Sequence, residues 1–331
     1  MGYADLLRSG VFSRTNQSLK SSIVRSSQEA ITGLSSDPLA RVGGNVAALA
    51  QIDSRQNIAE VEKQNIDFAA TRLEIMQVTL ESVRRGSENA AQHSLAENAL
   101  ANRSMIDLRS AEADKAFAAT VDKLNVRHGN DYLFSGQAVD QAAIPDSDFL
   151  KSKIFSLVDG KDNAADIIIS IEEWFSDAEN GFLAMLPVGS ERVSSALVDR
   201  EAVVDVTSSA KKSGILNVMA GMAMSLIAGQ RPDLDDKEVR KLVESGSKTT
   251  LKGAHQIRSM QAEIGSDQER VDALSVSKNT EIQSIKKMRN DMLGVDQYDA
   301  ITALNEQRAA LERLYAATAR LNELSLVNYL R

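Results

Sequence analysis

The chain has 331 residues, with 46 acidic and 38 basic side chains, no cysteine and 4% aromatics. The lack of cysteine excludes disulfides, thiol catalysis and cysteine metal sites, and a formal net charge of −8 argues against a phosphate-backbone partner. Ala, Leu, Ser, Glu, Gln, Arg and Lys dominate and there are four prolines, a mix that favours long helices over sheets.

The first segment, "MGYADLLRSGVFSRTNQSLK", has no apolar run of signal-peptide length, so export by a cleaved signal is not expected. Phe12, Leu19, Ile23, Ala30 and Leu34 recur at alternating spacings of 7 and 4, an eleven-residue helical period. Asn16, Ser26 and Ser27 fall in the gaps of that stripe. Such a helix is marginal alone. Stop signals follow at "SSDP" (Ser35 to Pro38) and at Gly43-Gly44.

A heptad seam then runs through Ile66, Ala69, Leu73, Met76, Leu80 and Val83. "RRGSEN" around Gly86 predicts an interruption, with helical spacing resuming at Leu95 through Ile106, Ala113, Phe117 and Leu124. The helix gives way to "RHGNDYLFSGQ", a turn-rich segment carrying Tyr132 and Phe134. From Ala138 to Asp205 fourteen acidic residues face five basic ones, so this block holds the whole acidic excess. It reads as a small mixed α/β segment with a solvated acidic surface. Within it "DIIISIEEWF" fits a buried strand or an amphipathic helix equally, and "REAVVDVTSS" reads as a strand.

"GILNVMAGMAMSLIAG" (Gly214 to Gly229) falls short of a membrane span and reads as a buried helix, its methionines Met219, Met222 and Met224 as core filler. "DLDDKE" (Asp233 to Glu238) reads as a helix N-terminus rather than a calcium loop. A second arm spans roughly Asp235 to Leu293. Ile257, Ile264, Val271, Ile285 and Met292 recur every seven residues, Lys278 fills the missing place, and Met260, Leu274 and Met288 supply the companion position. The last helix carries Leu304, Leu311, Leu314, Leu321 and Leu324, followed by Val327, Tyr329 and Leu330.

The expected fold is therefore mainly α. The N- and C-terminal arms form an antiparallel long-helix coiled-coil rod with a small mixed α/β domain inserted between them. The predicted division is 1–35 and 297–331 as terminal helices, 36–137 and 206–296 as the helical arms, and 138–205 as the acidic insert. Chemistry is sparse. His93, His128 and His255 form no HExxH pattern, Gly43-Gly44 lacks the lysine of a phosphate loop, and no GxSxG is present. No enzyme activity, cofactor or metal is expected. The apolar stripes near both ends need cover, which subunit packing would supply.

Four segments resemble the bacterial flagellin-type family. "GNDYLFSGQ" (Gly129 to Gln137) is similar to the G-x-Y-L-F-S-G signature of its hook–filament junction members, with Tyr132, Leu133, Phe134, Ser135 and Gly136 in the matching places and Gly129 one residue further ahead of the tyrosine. "LSSDPLA" (Leu34 to Ala40) resembles the family's S-x-D-D-P-x-A stretch, with Ser36 at the first acidic position. "QNIDFAATRLEIMQVTLESV" (Gln64 to Val83) matches the first long arm, and "TARLNELSLVNYLR" (Thr318 to Arg331) the C-terminal helix. The Arg-Ile-Ser-Thr start common in relatives is absent.

The resemblance implies a structural subunit of the bacterial flagellum, outside the cell and exported through the flagellar type III pathway without a cleaved signal. Its implied partners are copies of itself in a ring layer, a neighbouring hook-associated protein, flagellin, and an export chaperone on the C-terminal helix. The assembly and chaperone surface expected from it is Leu304, Leu311, Leu314, Leu321, Leu324, Val327, Tyr329 and Leu330, with Phe12, Leu19 and Ile23 from the N-terminal helix. A filament flagellin fits the same layout. A coiled-coil adaptor would explain the heptads but not the matched thin ends.

Overall fold

The computed structural model describes residues 3–43, 45–98, 102–199 and 202–329, and side chains at 10–43, 45–96, 102–199 and 202–321. Helices α1 (Tyr3–Thr32) and α2 (Pro38–Arg41) precede the 53-residue α3 (Val46–Asn98) and α4 (Arg103–Leu124). Strands β1 (Arg127–His128) and β2 (Asp131–Tyr132) pair antiparallel. Helices α5 (Ser147–Val158), α6 (Ala164–Ser176) and α7 (Phe182–Met185) follow. A second antiparallel pair, β3 (Ser195–Leu197) with β4 (Val203–Asp205), places Ala196 opposite Val204. The chain continues as α8 (Ser213–Gln230), the 58-residue α9 (Asp236–Leu293) and α10 (Gln297–Tyr329). The protein is mainly α, built on long antiparallel helices with a small mixed segment between them.

Two compact units form: residues 1–61 with 279–331, and residues 62–278. Helices α3 and α9 contribute to both.

In the unit 62–278, polar contacts fix the register of α3 against α9. Glu62 meets Lys278 at 2.7 Å, Glu74 meets Gln268 at 3.4 Å, Glu81 meets Gln261 at 3.1 Å and Glu88 meets Arg258 at 2.8 Å. One number rises as the other falls, so the helices are antiparallel. The predicted seam Ile66, Ala69, Leu73, Met76, Leu80 and Val83 is buried throughout, facing a core that includes Ile257, Met260, Ile264 and Val271. Helix α3 does not break at Gly86. Arg84 bonds to both Glu81 and Glu88, and Arg85 pairs with Glu81. These i,i+3 and i,i+4 pairs together offset the ~1 kcal/mol cost of one helical glycine. The next helix instead starts after Asn102, whose side chain accepts from the Met105 N–H.

The ambiguous stretch "DIIISIEEWF" is helical. Asn163 caps it by accepting from the Asp166 N–H, and Ala164, Ile167, Ile171 and Phe175 form one buried stripe. Val203–Asp205 is the strand expected of its sequence. The buried residues of α5, α6 and α7 belong to the same core as α3, α4, α8 and α9.

Helix α8 sits at the centre of that core. Among the described residues it is the one helix long and apolar enough to cross a membrane, yet it is mostly buried within the fold. Its glycines explain how. Gly214 and Gly221, seven apart, oppose Gly253 and Gly246 of α9, also seven apart. A β-carbon on Gly246 would lie 2.7 Å from the Gly221 carbonyl oxygen, and one on Gly253 would lie 2.5 Å from the Val218 nitrogen. On the other side, a β-carbon on Gly229 would lie 2.7 Å from Ser110 Oγ of α4. The backbones touch, and most side chains of α8 are buried, from Ile215 to Ala228.

Gly221→Ala is expected to cost about 2–4 kcal/mol, because backbone of α9 lies in the way and must shift. Gly265→Ala, in the same unit but with open space around its Cα, is expected to gain ~0.5–1 kcal/mol from helix propensity. Urea unfolding of the two variants checks both signs.

Candidate assembly surfaces

In the unit 1–61 with 279–331, α1 and α10 pair antiparallel. Tyr315 Oη lies 3.3 Å from Asn16 Oδ1 and Gln307 donates to Ser26 Oγ at 3.0 Å. Asn16 and Ser26, which thin the apolar stripe of α1, thus supply polar contacts to its partner helix. Phe12, Leu19 and Ile23 are half-buried, Leu304 is buried, Leu311 and Leu314 are half-buried, and Leu321 is 42% exposed. The backbone of α10 is described through Tyr329, while the side chains of Leu324, Val327 and Tyr329, and all of Leu330, lie outside the described residues. A second set of apolar side chains faces outward: Val11, Val24 and Ile31 on α1, and Tyr298, Ile301 and Tyr315 on α10. The small core beside them holds Ala59, Ile282 and Ile285, with Ile52 packed against it. Met288 is 49% exposed rather than in the seam, because Ile282 and Ile285 already fill the inward positions.

The joint of this unit is built by "LSSDPLA". Gly33 takes a φ of 68° and its carbonyl accepts from the Val295 N–H at 2.9 Å, while the Ser35 N–H donates to the Leu293 carbonyl at 2.8 Å. Asp37 caps α2, and Arg41 donates to the Gly294 carbonyl at 2.7 Å. Ser36 donates through both its N–H and its hydroxyl to Glu29 Oε1, at 3.0 and 2.9 Å. An aspartate there, as in the family pattern, would face that carboxylate, so serine suits this chain.

In the unit 62–278 the segment Gly129 to Gly136 is a structural buckle. Gly129 supplies the turn between β1 and β2 with a φ of 62°. Arg127 stacks over the Tyr132 ring at 4.9 Å. Leu133, Phe134 and Ser135 are fully buried. The chain leaves for the insert here and returns alongside. Ser208 N–H donates to the Leu133 carbonyl at 2.7 Å, Gly136 N–H to the Ser208 carbonyl at 2.9 Å, and Ala210 N–H to the Phe134 carbonyl at 2.9 Å. Gly136 has a φ of 64°, and a β-carbon there would lie 2.6 Å from the Ser190 carbonyl oxygen. Only glycine fits both demands.

Arg72 closes this buckle onto α3, a role that heptad spacing alone does not reveal. It is 3% exposed, donates to the Val206 carbonyl at 3.0 Å and to Asp131 at 2.7 Å, and lies over the Phe68 ring at 5.2 Å. Its place beside the seam residue Leu73 is the one signal in the sequence, since a charge at that edge needs a buried partner. Lys278, which breaks the heptad, is also buried; it pairs with Glu62 at 2.7 Å and with Asp199 of the β3–β4 turn at 3.5 Å. His93 and His255 are exposed, and His128 packs on Phe68 with ring centroids 5.1 Å apart. No group of three potential metal ligands occurs among the described residues.

Two carboxylates respond to pH in opposite senses. The hydrogen bond from Arg84, then those from Gln261 and Arg85, hold Glu81 down to about 2 against the opposing effect of burial. Burial pushes Asp267 up, with Arg270 opposing and Asp205 and Glu263 adding to the rise.

Residues 251–330 match the sequence family described as the bacterial flagellin C-terminal helical region. A structure from Vibrio parahaemolyticus described as a flagellar hook-associated protein aligns with a TM-score of 0.53 and 14% identity, over 77% of this chain and 98% of that one. Bacillus cereus FlgL aligns with a TM-score of 0.50 and 13% identity, over 73% of this chain and 99% of that one. At these identities the likeness is one of fold. No curated protein matches in sequence.

Asp267→Asn is expected to stabilise the chain at pH 7. A carboxyl raised in the native state penalises folding above that raised value, and the penalty fades as pH falls toward the ordinary 3.8. The difference between variant and parent should therefore vanish in acid, as urea unfolding across pH will report.

Proposed function

We propose that this chain is a structural subunit of the bacterial flagellum, at the junction between hook and filament. The observation that carries the proposal is the coincidence of the flagellin C-terminal region at 251–330 with a fold shared with hook-associated proteins along most of their length. The buckle at Gly129 to Gly136 supports the junction assignment over filament flagellin, because its sequence resembles that of junction members. Filament flagellin is the second reading, favoured by the flagellin family that residues 251–330 match.

In this proposal the terminal helices, 1–35 and 297–331, build the inner tube in a ring layer of identical copies. The arms, 36–137 and 206–296, support them, and the insert, 138–205, faces outward. A hook-associated protein lies below the ring and flagellin above. Before assembly, an export chaperone covers the face of α10 that holds Leu304, Leu311, Leu314 and Leu321, and the chain leaves through the flagellar export pathway without a cleaved signal. The partly exposed apolar side chains of α1 and α10 support this use. Two paired helices leave large side chains in water that further copies can cover at about 25 cal/mol per Å² of apolar area buried.

The test is sedimentation and electron microscopy of the purified chain, alone and with hook-side assemblies and filament seeds. A junction subunit stays dispersed alone and adds one layer to the hook side. Long filaments formed by the chain alone indicate flagellin. Leu314→Asp or Leu321→Asp should lower both chaperone capture and layer formation by at least about tenfold, equivalent to ~1.4 kcal/mol. Val188→Asp, at a position 96% exposed in the insert, should leave both unchanged. Leucine substitutions that change neither chaperone capture nor layer formation would overturn the assignment of this face.

A further inference from the structure

We propose that the Asn180–Gly181 bond is a site of spontaneous covalent modification, in which the asparagine cyclises to a succinimide and is then hydrolysed to aspartate or isoaspartate. This is the sole Asn-Gly pair in the sequence. It lies in the bend between α6 and α7. The side chain of Asp177, just past the end of α6, accepts from the N–H groups of Glu179 at 2.8 Å and Asn180 at 3.2 Å and so turns the chain. Asn180 is exposed, leaving its carboxamide open to water and hydroxide.

The fold also requires the residue that makes this bond labile. Asparagine is a thermolabile side chain, and a following glycine has no β-carbon to shield its own nitrogen. At Gly181 a β-carbon would collide with the Trp174 carbonyl oxygen and lie 2.8 Å from that of Asp177. Packing therefore excludes any larger residue that would protect the bond. Asn180 stands in the exposed bend, and the carbonyl oxygens of Trp174 and Asp177 keep glycine after it.

The step balances without an oxidant or cofactor. Hydroxide removes the proton from the Gly181 nitrogen, and that nitrogen attacks Asn180 Cγ. The new N–Cγ bond forms, the Cγ–Nδ2 bond breaks and ammonia leaves. Water then adds to one of the two ring carbonyls. Opening at one yields aspartate; opening at the other yields isoaspartate, which carries an additional methylene in the main chain. That methylene would enter before Gly181, one residue ahead of Phe182, which is fully buried with its ring 4.9 Å from Phe175 and 5.7 Å from Trp174. Either product also adds a negative charge beside Asp177 and Glu179. Trp174 is the single tryptophan of the chain, so its fluorescence reports on this cluster alone. The inference stands independently of the flagellar assignment.

The test uses the full native chain, held at mildly alkaline pH and physiological temperature over a time course. Trypsin releases the peptide Asp162 to Arg192, and fragmentation separates position 180 from Asn163. The expected result is amide-to-acid conversion at 180, with isoaspartate as the major product, ammonia released in step and the Trp174 emission moving to the red. Asn180→Gln, whose ring closure is less favourable, should suppress all of these. If the native chain keeps the Asn180 amide while the same chain unfolded in denaturant converts it, the fold protects the bond and the proposal fails. Conversion at 180 with unchanged Trp174 emission would overturn the coupling to the aromatic cluster.

Discussion

The backbone contact between α8 and α9 is the constraint on which the unit 62–278 depends. Two glycines seven residues apart on each helix let main chains meet where side chains would otherwise hold them at the 8–10 Å typical of helix pairs. Close approach puts α8 deep enough to be covered by α4, α5 and α6 as well. Its apolar surface on all sides is thereby accounted for: a helix covered all round has no need of a polar face. The same depth lets the insert share the core of the arms. Ile167, Ile171, Phe175 and Phe182 are buried in one cluster with Leu73, Phe117 and Ile257. The acidic segment can therefore carry charge on its outer surface without having to supply a complete core of its own.

Apolar packing alone would leave the long helices free to slip, since one heptad step presents nearly the same seam. The buried and half-buried polar groups remove that freedom. Lys278 has its carboxylate partner Glu62 in one register only, and Asp199 ties the β3–β4 turn to the same point. Arg72 does likewise for the buckle, through Asp131 and the Val206 carbonyl. A slip of one turn would bury either cation unpaired, at a cost of several kcal/mol. These ion pairs add little net stability and select one arrangement among several of similar apolar burial.

Heptad spacing made the long helices legible, because apolar residues stepping by three and four along six positions share one face only in a helix. The place of the helix break was not legible. Gly86 looks like a stop in isolation, and the arginine–glutamate pairs that carry α3 through it depend on rotamers that no pattern displays. The helix α6 was ambiguous for a different reason: three consecutive isoleucines fit a strand as well, and the deciding feature was the cap at Asn163. The glycine contacts of α8 escaped because each glycine had a local reading as a helix weakness. Their spacing of seven on both helices was present in the sequence, but only the antiparallel alignment makes the two sets meet. At the candidate site, motif resemblance located the buckle, while its closure by Arg72 comes from a residue some sixty positions earlier and required the fold.

The two units differ in how much each can stabilise itself. In 62–278 the core runs through seven helices and is closed by backbone hydrogen bonds at the buckle. In the other unit α1 and α10 lie as a single pair, with polar contacts at Asn16 and Ser26 and a core of a few residues. Two helices can cover only one face of each other, and ordering each residue costs roughly 1–2 kcal/mol. The surplus left to the pair is accordingly small. The unit 62–278 closes a core of its own, whereas the pair of terminal helices leaves Val11, Val24, Ile301 and Tyr315 in water. A helix pair made fully stable in isolation would need those positions polar, and would then have no apolar surface left for a partner to cover.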